Sequence, residues 1–358
     1  MRVLFTGGGT AGHVIPAIPV LRALREEGAV VGFVGSRSGL EADLLREEAL
    51  TYYGISSGKL RRYFSLENLQ DVFRVLRGIW DALLVVRRFR PDVVFSKGGY
   101  VSFPLVFAAW LRGVPVVAHE SDLTPGLANR LSLPFIRTLC VNFPDTRPPG
   151  FKGRVLYSGT PVREALLAGD ARRGRALLGV DAQTPVLLVT GGSLGADVLN
   201  AVVREALPEL TADMHVVLVC GPGKSSNLRQ PGFTEFEYVR EEWGDLLAAA
   251  DLVVSRAGAN TLYELLLLRK ANLLVPLSRK ASRGDQIENA EFARARGFSR
   301  VIAEESLSVG LLVQTLQQML TDRQAIAASL AAFQPPDSVS LLAAEIKAQL
   351  TATGQTQA

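Results

Sequence analysis

The feature that most constrains this chain is an internal repeat. Residues 2–24 read RVLFTGGGTAGHVIPAIPVLRAL, and residues 186–207 read VLLVTGGSLGADVLNAVVREAL. A second pair follows at a similar offset. PDVVFSKGGYVSFPLVFAAWLRGVPVV (91–117) aligns with ADLVVSRAGANTLYELLLLRKANLLVP (250–276), so Ser96 meets Ser255, Lys97 meets Arg256 and Gly99 meets Gly258. Each copy is an apolar run, a glycine-rich turn and a helical pattern. A chain that writes this unit twice in each half reads as two nucleotide-binding-type domains with a cleft between them.

Length agrees, because 358 residues exceed what one core comfortably holds. Apolar runs recur at Val3–Phe5, Val30–Val34, Val93–Phe95, Val114–Ala118 and Leu139–Val141, then at Val186–Val189, His215–Val219, Leu252–Val254 and Leu273–Val275. Helical patterns separate most of them, which predicts parallel sheets covered on both faces. Gly and Pro place a hinge at Ser158–Pro161. The expected division is a first domain over 1–160, a second over 161–335, and a C-terminal piece over 336–358 made of a short helix (Leu341–Leu350) and a disordered polar tail. Cys140 and Cys220 sit in apolar runs and read as reduced core thiols. No apolar run is long enough to span a bilayer, and the N-terminus enters a strand directly, with no signal-peptide pattern.

Charge is uneven. Residues 1–160 hold 20 Lys and Arg against 13 Asp and Glu, and the remainder holds 19 against 22. A basic first half suits an anionic partner. Its arginines lack the interleaved aromatics of a nucleic-acid surface, so nucleic acid is not expected. An anionic membrane fits better. Between Leu69 and Arg90, Val72, Phe73, Leu76, Ile79, Trp80 and Leu83 recur at helical spacing, flanked by Arg74, Arg77, Arg87, Arg88 and Arg90. That pattern reads either as a core helix with a basic edge or as a membrane-facing patch, with Trp110 as a further member.

The glycine turns suit phosphate. Gly7–Gly12 matches G-x-G-x-x-G after a strand, where glycine admits close approach and a following helix offers N–H groups. A dehydrogenase would carry an acid after the second strand. Gly35-Ser36-Arg37 stands there instead, which suits only a 2′-phosphate. In the second half Ser193 follows Gly191-Gly192, and Ser255–Thr261 forms another strand-to-helix turn. Two helix starts aimed at one crevice hold a diphosphate without metal. Glu264, one turn further, reads as a ribose-binding carboxylate or as a surface glutamate. Gln286 and Asn289 read as sugar contacts or as capping residues.

Seven ordered motifs then carry a resemblance: GGGTAGHVIPA (7–17), GGYVSFP (98–104), HESDLTPGLANR (119–130), GTPVR (159–163), GGSLGA (191–196), SRAGANTLYE (255–264) and DQIENA (285–290). Over about residues 1–335 the chain resembles the MurG family of cell-wall N-acetylglucosaminyltransferases. The resemblance implies an α/β fold of GT-B architecture, with two Rossmann-like doubly wound parallel-sheet domains facing a cleft. It implies inverting transfer of GlcNAc from UDP-GlcNAc to the C4 hydroxyl of MurNAc in undecaprenyl-pyrophosphoryl-MurNAc-pentapeptide (lipid I to lipid II). It implies no cofactor, and a peripheral place on the cytoplasmic face of the plasma membrane. Donor residues would be Thr10, Gly12, Arg163, Ser193, Tyr238, Val239, Ala259, Asn260, Thr261, Glu264, Gln286 and Asn289, with Tyr238-Val239 ending a strand against the uracil. Acceptor residues would be Gly8, Gly9, Thr10, Gly98, Gly99, Tyr100, Ser102 and Asn129. Two departures stand out. Leu194 follows the serine of GGS where many members have Gln, and Ser121-Asp122 stands where many have Gln-Asn.

Inverting transfer needs a base, an aligned sugar and a stabilised leaving diphosphate. A helix start and an arginine serve the last task, so no metal is required. Of three histidines, His215 lies in a strand pattern and reads as structural, and His119 is either a site residue or tied to a carbonyl. His13 opens the helix after the first glycine turn and is the expected base, with Glu120 and Asp122 as rivals. The alternative functions are another GT-B glycolipid transferase such as a diacylglycerol glycosyltransferase, a sugar-nucleotide 2-epimerase, an NADP-dependent oxidoreductase using Arg37, and a non-enzymatic sugar-nucleotide sensor or membrane-docking subunit.

Overall fold

A computed structural model describes residues 1–58 and 66–354. The chain divides into two compact units, one formed by Met1–Pro161 with the chain from Pro336 onward, the other by Val162–Pro335.

The first unit is built on seven strands: β1 (Arg2–Thr6), β2 (Val30–Ser36), β3 (Thr51–Ile55), β4 (Val93–Ser96), β5 (Val116–Glu120), β6 (Thr138–Val141) and β7 (Arg154–Tyr157). Their order is β3-β2-β1-β4-β5-β6-β7, and every pair is parallel. The second unit has β8 (Val186–Thr190), β9 (His215–Val219), β10 (Phe233–Phe236), β11 (Leu252–Ser255), β12 (Ala271–Leu274) and β13 (Arg300–Val301). Their order is β10-β9-β8-β11-β12-β13, again all parallel. Both sheets are therefore doubly wound. The central strands are short and branched, with Val93, Val94 and Phe95, or Leu187, Leu188 and Val189, fully buried. Only a sheet covered on both faces buries consecutive residues of a strand, and parallel crossovers supply that cover.

The strand order reverses between β1 and β4 in the first unit and between β8 and β11 in the second. Ligands in open α/β sheets bind outside the carboxyl ends of the strands at such a switch point. All four repeated glycine turns leave those four strands. The internal repeat is thus the chain building one switch point twice.

Two elements differ from the expected organisation. The edge strands β3, β7, β10 and β13 are missing from the apolar runs because they are less deeply buried, so polar residues are accommodated in them: Thr51 is exposed, and Glu235 is paired with Arg204. The C-terminal helix runs Ser338–Gly354 and is part of the first unit, not a separate element. Its Leu342 and Ile346 lie in the core formed by Val3, Phe5 and Leu21. Glu345 accepts hydrogen bonds from Thr138 Oγ1 (2.7 Å) and Arg154 Nη1 (2.9 Å) on β6 and β7. The polar tail beyond 354 lies outside the described residues.

Candidate active site

In the second unit each turn at the switch point has an open glycine, Gly192 in one and Gly258 in the other, while Gly191 and Gly195 are packed against backbone. Gly258 precedes the helix Ala259–Leu267 with an ordinary φ of −64°, and a Cβ placed on it would meet nothing within 4 Å. Neither backbone strain nor packing calls for glycine there; open space for an approaching ligand does. Gly192 has φ +86° and is equally open. Ser193 lies on the turn after it, exposed beside Leu194, and the helix begins only at Asp197. Its place is therefore on the loop crest rather than at the expected helix start.

Glu264 lies on the helix Ala259–Leu267 with Asn260 and Thr261, all half-buried, and Ala259 is buried. Burial pushes its carboxyl up from 4.5 to about 7, and the Arg163 guanidinium pulls the other way. No hydrogen-bond donor among the described residues serves that carboxyl, which leaves its oxygens for hydroxyl groups of a ligand. A half-buried acid left in this state is a functional signature rather than a stabilising one. Gln286 accepts from Leu277 N–H at 3.0 Å, leaving its NH2 without a described partner. Asn289 is buried and donates from Nδ2 to Ala257 O at 3.2 Å, so it braces the Arg256–Gly258 turn from behind. Tyr238 and Val239 do not end a strand. β10 stops at Phe236, and Tyr238 stands exposed beyond it with Arg240 over its ring.

In the first unit the turns are closed against one another. A Cβ on Gly99 (φ +85°) would fall 2.0 Å from Gly8 O, and one on Gly9 would fall 2.5 Å from the Tyr100 ring. Gly8 N–H donates to Gly98 O (3.3 Å), and Gly9 N–H donates to Oε1 of the fully buried Glu41 (2.7 Å). Gly8 and Gly9 thus lack the N–H groups that a phosphate would take, and Gly98 N–H is directed to Ser96 Oγ. The Ser102 hydroxyl closes its own turn on Gly99 O (2.7 Å). Gly99 N–H has no hydrogen-bond partner among the described residues. Tyr100 remains half-buried, its phenol pushed up by burial and by Glu41.

Glu120 is a loop organiser. Its Oε1 accepts from Asp122 N–H (3.0 Å), and its Oε2 from Gly126 N–H and Asn129 Nδ2 (2.9 Å each). Three bonds and near-complete burial hold it in place; burial raises its pKa, against the bonds that lower it. Asn129 also donates to His119 O (3.2 Å), which makes it a brace behind Gly98. His119 is fully buried between Lys97 Nζ (2.8 Å) and Gly159 O (2.7 Å), the carbonyl-tied alternative. Its pKa falls well below the ordinary value because of burial and the Lys97 charge.

His13 ends a single 3₁₀ turn, Ala11–His13, and the α-helix starts only at Ile18. The expected helix start beside the imidazole is absent, because Pro16 and Pro19 delay regular helix formation. What orients the ring instead is Thr10, whose Oγ1 lies 2.9 Å from Nδ1. His13, Thr10 and Gly12 stay at least partly accessible.

The long helix Leu66–Phe89 buries Ala82, Val86 and Phe89, while Gly78 lets it lie against Ser56 O. Phe73 and Trp80 are 65% and 64% exposed, and Leu76 and Leu84 stand out beside them. Ile79 and Leu83 are half-buried and belong to the packed side; Leu84 takes their place on the outer face. Arg87 and Arg88 are exposed. No helix among the described residues is long and apolar enough to cross a membrane.

Comparison with known proteins agrees with this architecture. Residues 3–140 match the glycosyltransferase family 28 N-terminal domain, and residues 186–342 match the family 28 C-terminal domain. The UDP-N-acetylglucosamine–N-acetylmuramyl-(pentapeptide) pyrophosphoryl-undecaprenol N-acetylglucosamine transferase of Legionella pneumophila (strain Lens) is 46% identical over 97% of this chain and 96% of its own. Its namesake in Clostridium perfringens (strain SM101) is 46% identical over 90% of this chain and 91% of its own. The crystal structure of Acinetobacter baumannii MurG superposes with a TM-score of 0.77 at 26% identity, covering 97% of this chain and 99% of that one. With two Rossmann-like parallel-sheet units of the GT-B kind and relatives this similar along nearly their whole length, the chain belongs to the MurG family of family 28 glycosyltransferases.

Proposed function

We propose that the protein is the inverting transferase that moves GlcNAc from UDP-GlcNAc to the C4 hydroxyl of MurNAc in undecaprenyl-pyrophosphoryl-MurNAc-pentapeptide. The observation that carries this reading is the open switch point of the second unit. A helix start at which Gly258 leaves open space lies one turn from a half-buried carboxyl that receives no hydrogen bond from the described residues. The helix start takes the donor diphosphate, whose developing charge on departure its dipole and Arg163 stabilise. Glu264 takes the ribose hydroxyls. Ser193 reaches the phosphates from the facing loop, Gln286 reads the sugar with its free NH2, and Tyr238-Val239 meet the uracil.

The first unit takes the acceptor at Gly99, Tyr100 and Thr10. His13 is the base. To accept a proton at Nε2 its ring must carry hydrogen on Nδ1, and donation from Nδ1–H to Thr10 Oγ1 selects that tautomer. Glu120 and Asn129 shape the turn and do not react. The outer face of the helix Leu66–Phe89 joins apolar side chains to Arg74, Arg77, Arg87 and Arg88, which suits peripheral attachment to an anionic lipid surface holding the acceptor.

A transfer assay with UDP-[14C]GlcNAc and lipid I tests the reading. Label should pass to the lipid. Transfer to diacylglycerol instead would favour the glycolipid alternative, and binding of NADPH without transfer would end both.

A further inference from the structure

The internal repeat pairs Lys97 with Arg256, each at the carboxyl end of a central strand just before a glycine turn. Their surroundings differ. Arg256 is buried, and Glu304 neutralises it at 2.9 Å while Val275 O takes a further bond. Lys97 is buried more completely, at 1% exposure, and no carboxylate among the described residues comes within ion-pair distance of it. Its Nζ donates to His119 Nδ1 (2.8 Å) and to Ser121 Oγ. An ammonium has three N–H groups, and the third has no acceptor among the described residues.

Several titratable groups face it: His119 and Glu120 on β5, Asp122 just after, and Cys140 on β6. None forms an ion pair with it, although the charges of Glu120 and Asp122 favour its protonated form. His119 presents a bare Nδ1, because Nε2 must carry the hydrogen that Gly159 O accepts. Glu120 is engaged by Asp122, Gly126 and Asn129, and burial raises the Cys140 thiol. Burial outweighs the nearby acids and brings the amine down to about 7. A buried cation without an ion-pair partner is costly to keep. Lys97 directly precedes Gly98 and Gly99 in the chain, and Gly99 N–H has no partner among the described residues.

We propose that the missing ion-pair partner arrives with the substrate: Lys97 is a positioning residue that draws the acceptor's diphosphate onto the Gly99 turn. This rests on the reading of the first unit as the acceptor-binding unit. Binding then recharges the amine, so the acceptor takes up a proton as it binds near pH 7.5. Titration calorimetry in buffers of different ionisation enthalpy counts that proton. The probe is a soluble short-chain prenyl-diphosphoryl-MurNAc-pentapeptide, run beside UDP-GlcNAc.

Wild type should take up a proton with the acceptor analogue, and its affinity should fall by about tenfold per unit as pH rises above about 7.5. Lys97→Arg should keep affinity across that range with no proton uptake. Lys97→Met should bind the analogue at least tenfold more weakly at pH 7 and UDP-GlcNAc within twofold of wild type, with circular dichroism confirming its fold. Equal analogue affinity in wild type and Lys97→Met overturns the proposal, as does proton uptake that persists in Lys97→Arg, or a loss confined to UDP-GlcNAc. If the wild type transfers GlcNAc to some other lipid and ignores the analogue, the functional reading is what fails.

Discussion

In the proposed reaction the chemistry turns on Glu264 and His13. A carboxyl held near 7 in the folded chain ionises at 4.5 when unfolded, so the folded state holds the proton more tightly. Its contribution to stability is full below about 4.5 and declines as pH rises to about 7. The ribose hydroxyls need the ionised form as acceptor. Donor binding should therefore release a proton and tighten from pH 6 to pH 8, which calorimetry with UDP-GlcNAc measures. Glu264→Ala should raise the donor KM by roughly 10–100-fold, the loss of one or two bonds to a charged group, with the acceptor KM nearly unchanged. An unchanged donor KM would remove Glu264 from the site. His13→Ala should lower kcat by roughly 10²–10⁴-fold with both substrates saturating, and near-normal turnover would pass the role of base to another group.

At the scale of single elements, the helix Leu66–Phe89 shows how one periodicity serves two masters. Its apolar positions are spaced for a helix, yet they wrap more than one face, because Ala82, Val86 and Phe89 fill the core while Phe73, Leu76, Trp80 and Leu84 do not. Replacing Phe73 and Trp80 by Ser should leave the melting temperature within a few degrees, since neither side chain is buried. It should weaken cosedimentation with anionic vesicles at least several-fold, and Arg87→Glu with Arg88→Glu should do so in a salt-sensitive way. Unaltered vesicle binding in both would assign the outer face no membrane role. The glycine turns show the converse case. GGGTAG and GGS look alike in sequence, but the first turn is filled by His13 O, Glu41 and Tyr100, while in the second Gly192 stays open. The signal for Glu41 was faint: one acid opening GLEADLL, thirty-odd residues from the glycine it holds.

For the molecule as a whole, the chain from Pro336 is a structural tie for the first unit. Ile346 is fully buried against β1 and the helix Ile18–Glu26. Ile346→Ala should cost about 2–5 kcal/mol by cavity formation, lowering the first unit's unfolding transition in a calorimetric scan while the second unit's UDP-GlcNAc affinity persists below it. Loss of donor binding in step with that transition would show that the two units do not unfold independently.

The two sheets announce their architecture locally. Strand, glycine turn and helix are neighbours in sequence, so periodicity and glycine placement were enough to read two doubly wound sheets and their four turns, and seven motifs were enough to read the family. Tertiary structure alone decided which groups at those turns remain available. Gly9 N–H is taken by Glu41, Glu120 is engaged by Asn129, and Arg256 is ion-paired with Glu304 while Lys97 forms no ion pair among the described residues. Each of those outcomes depends on a partner brought in from another element. Burial and hydrogen bonding are settled by such long-range contacts, and spacing along one segment carries no record of them.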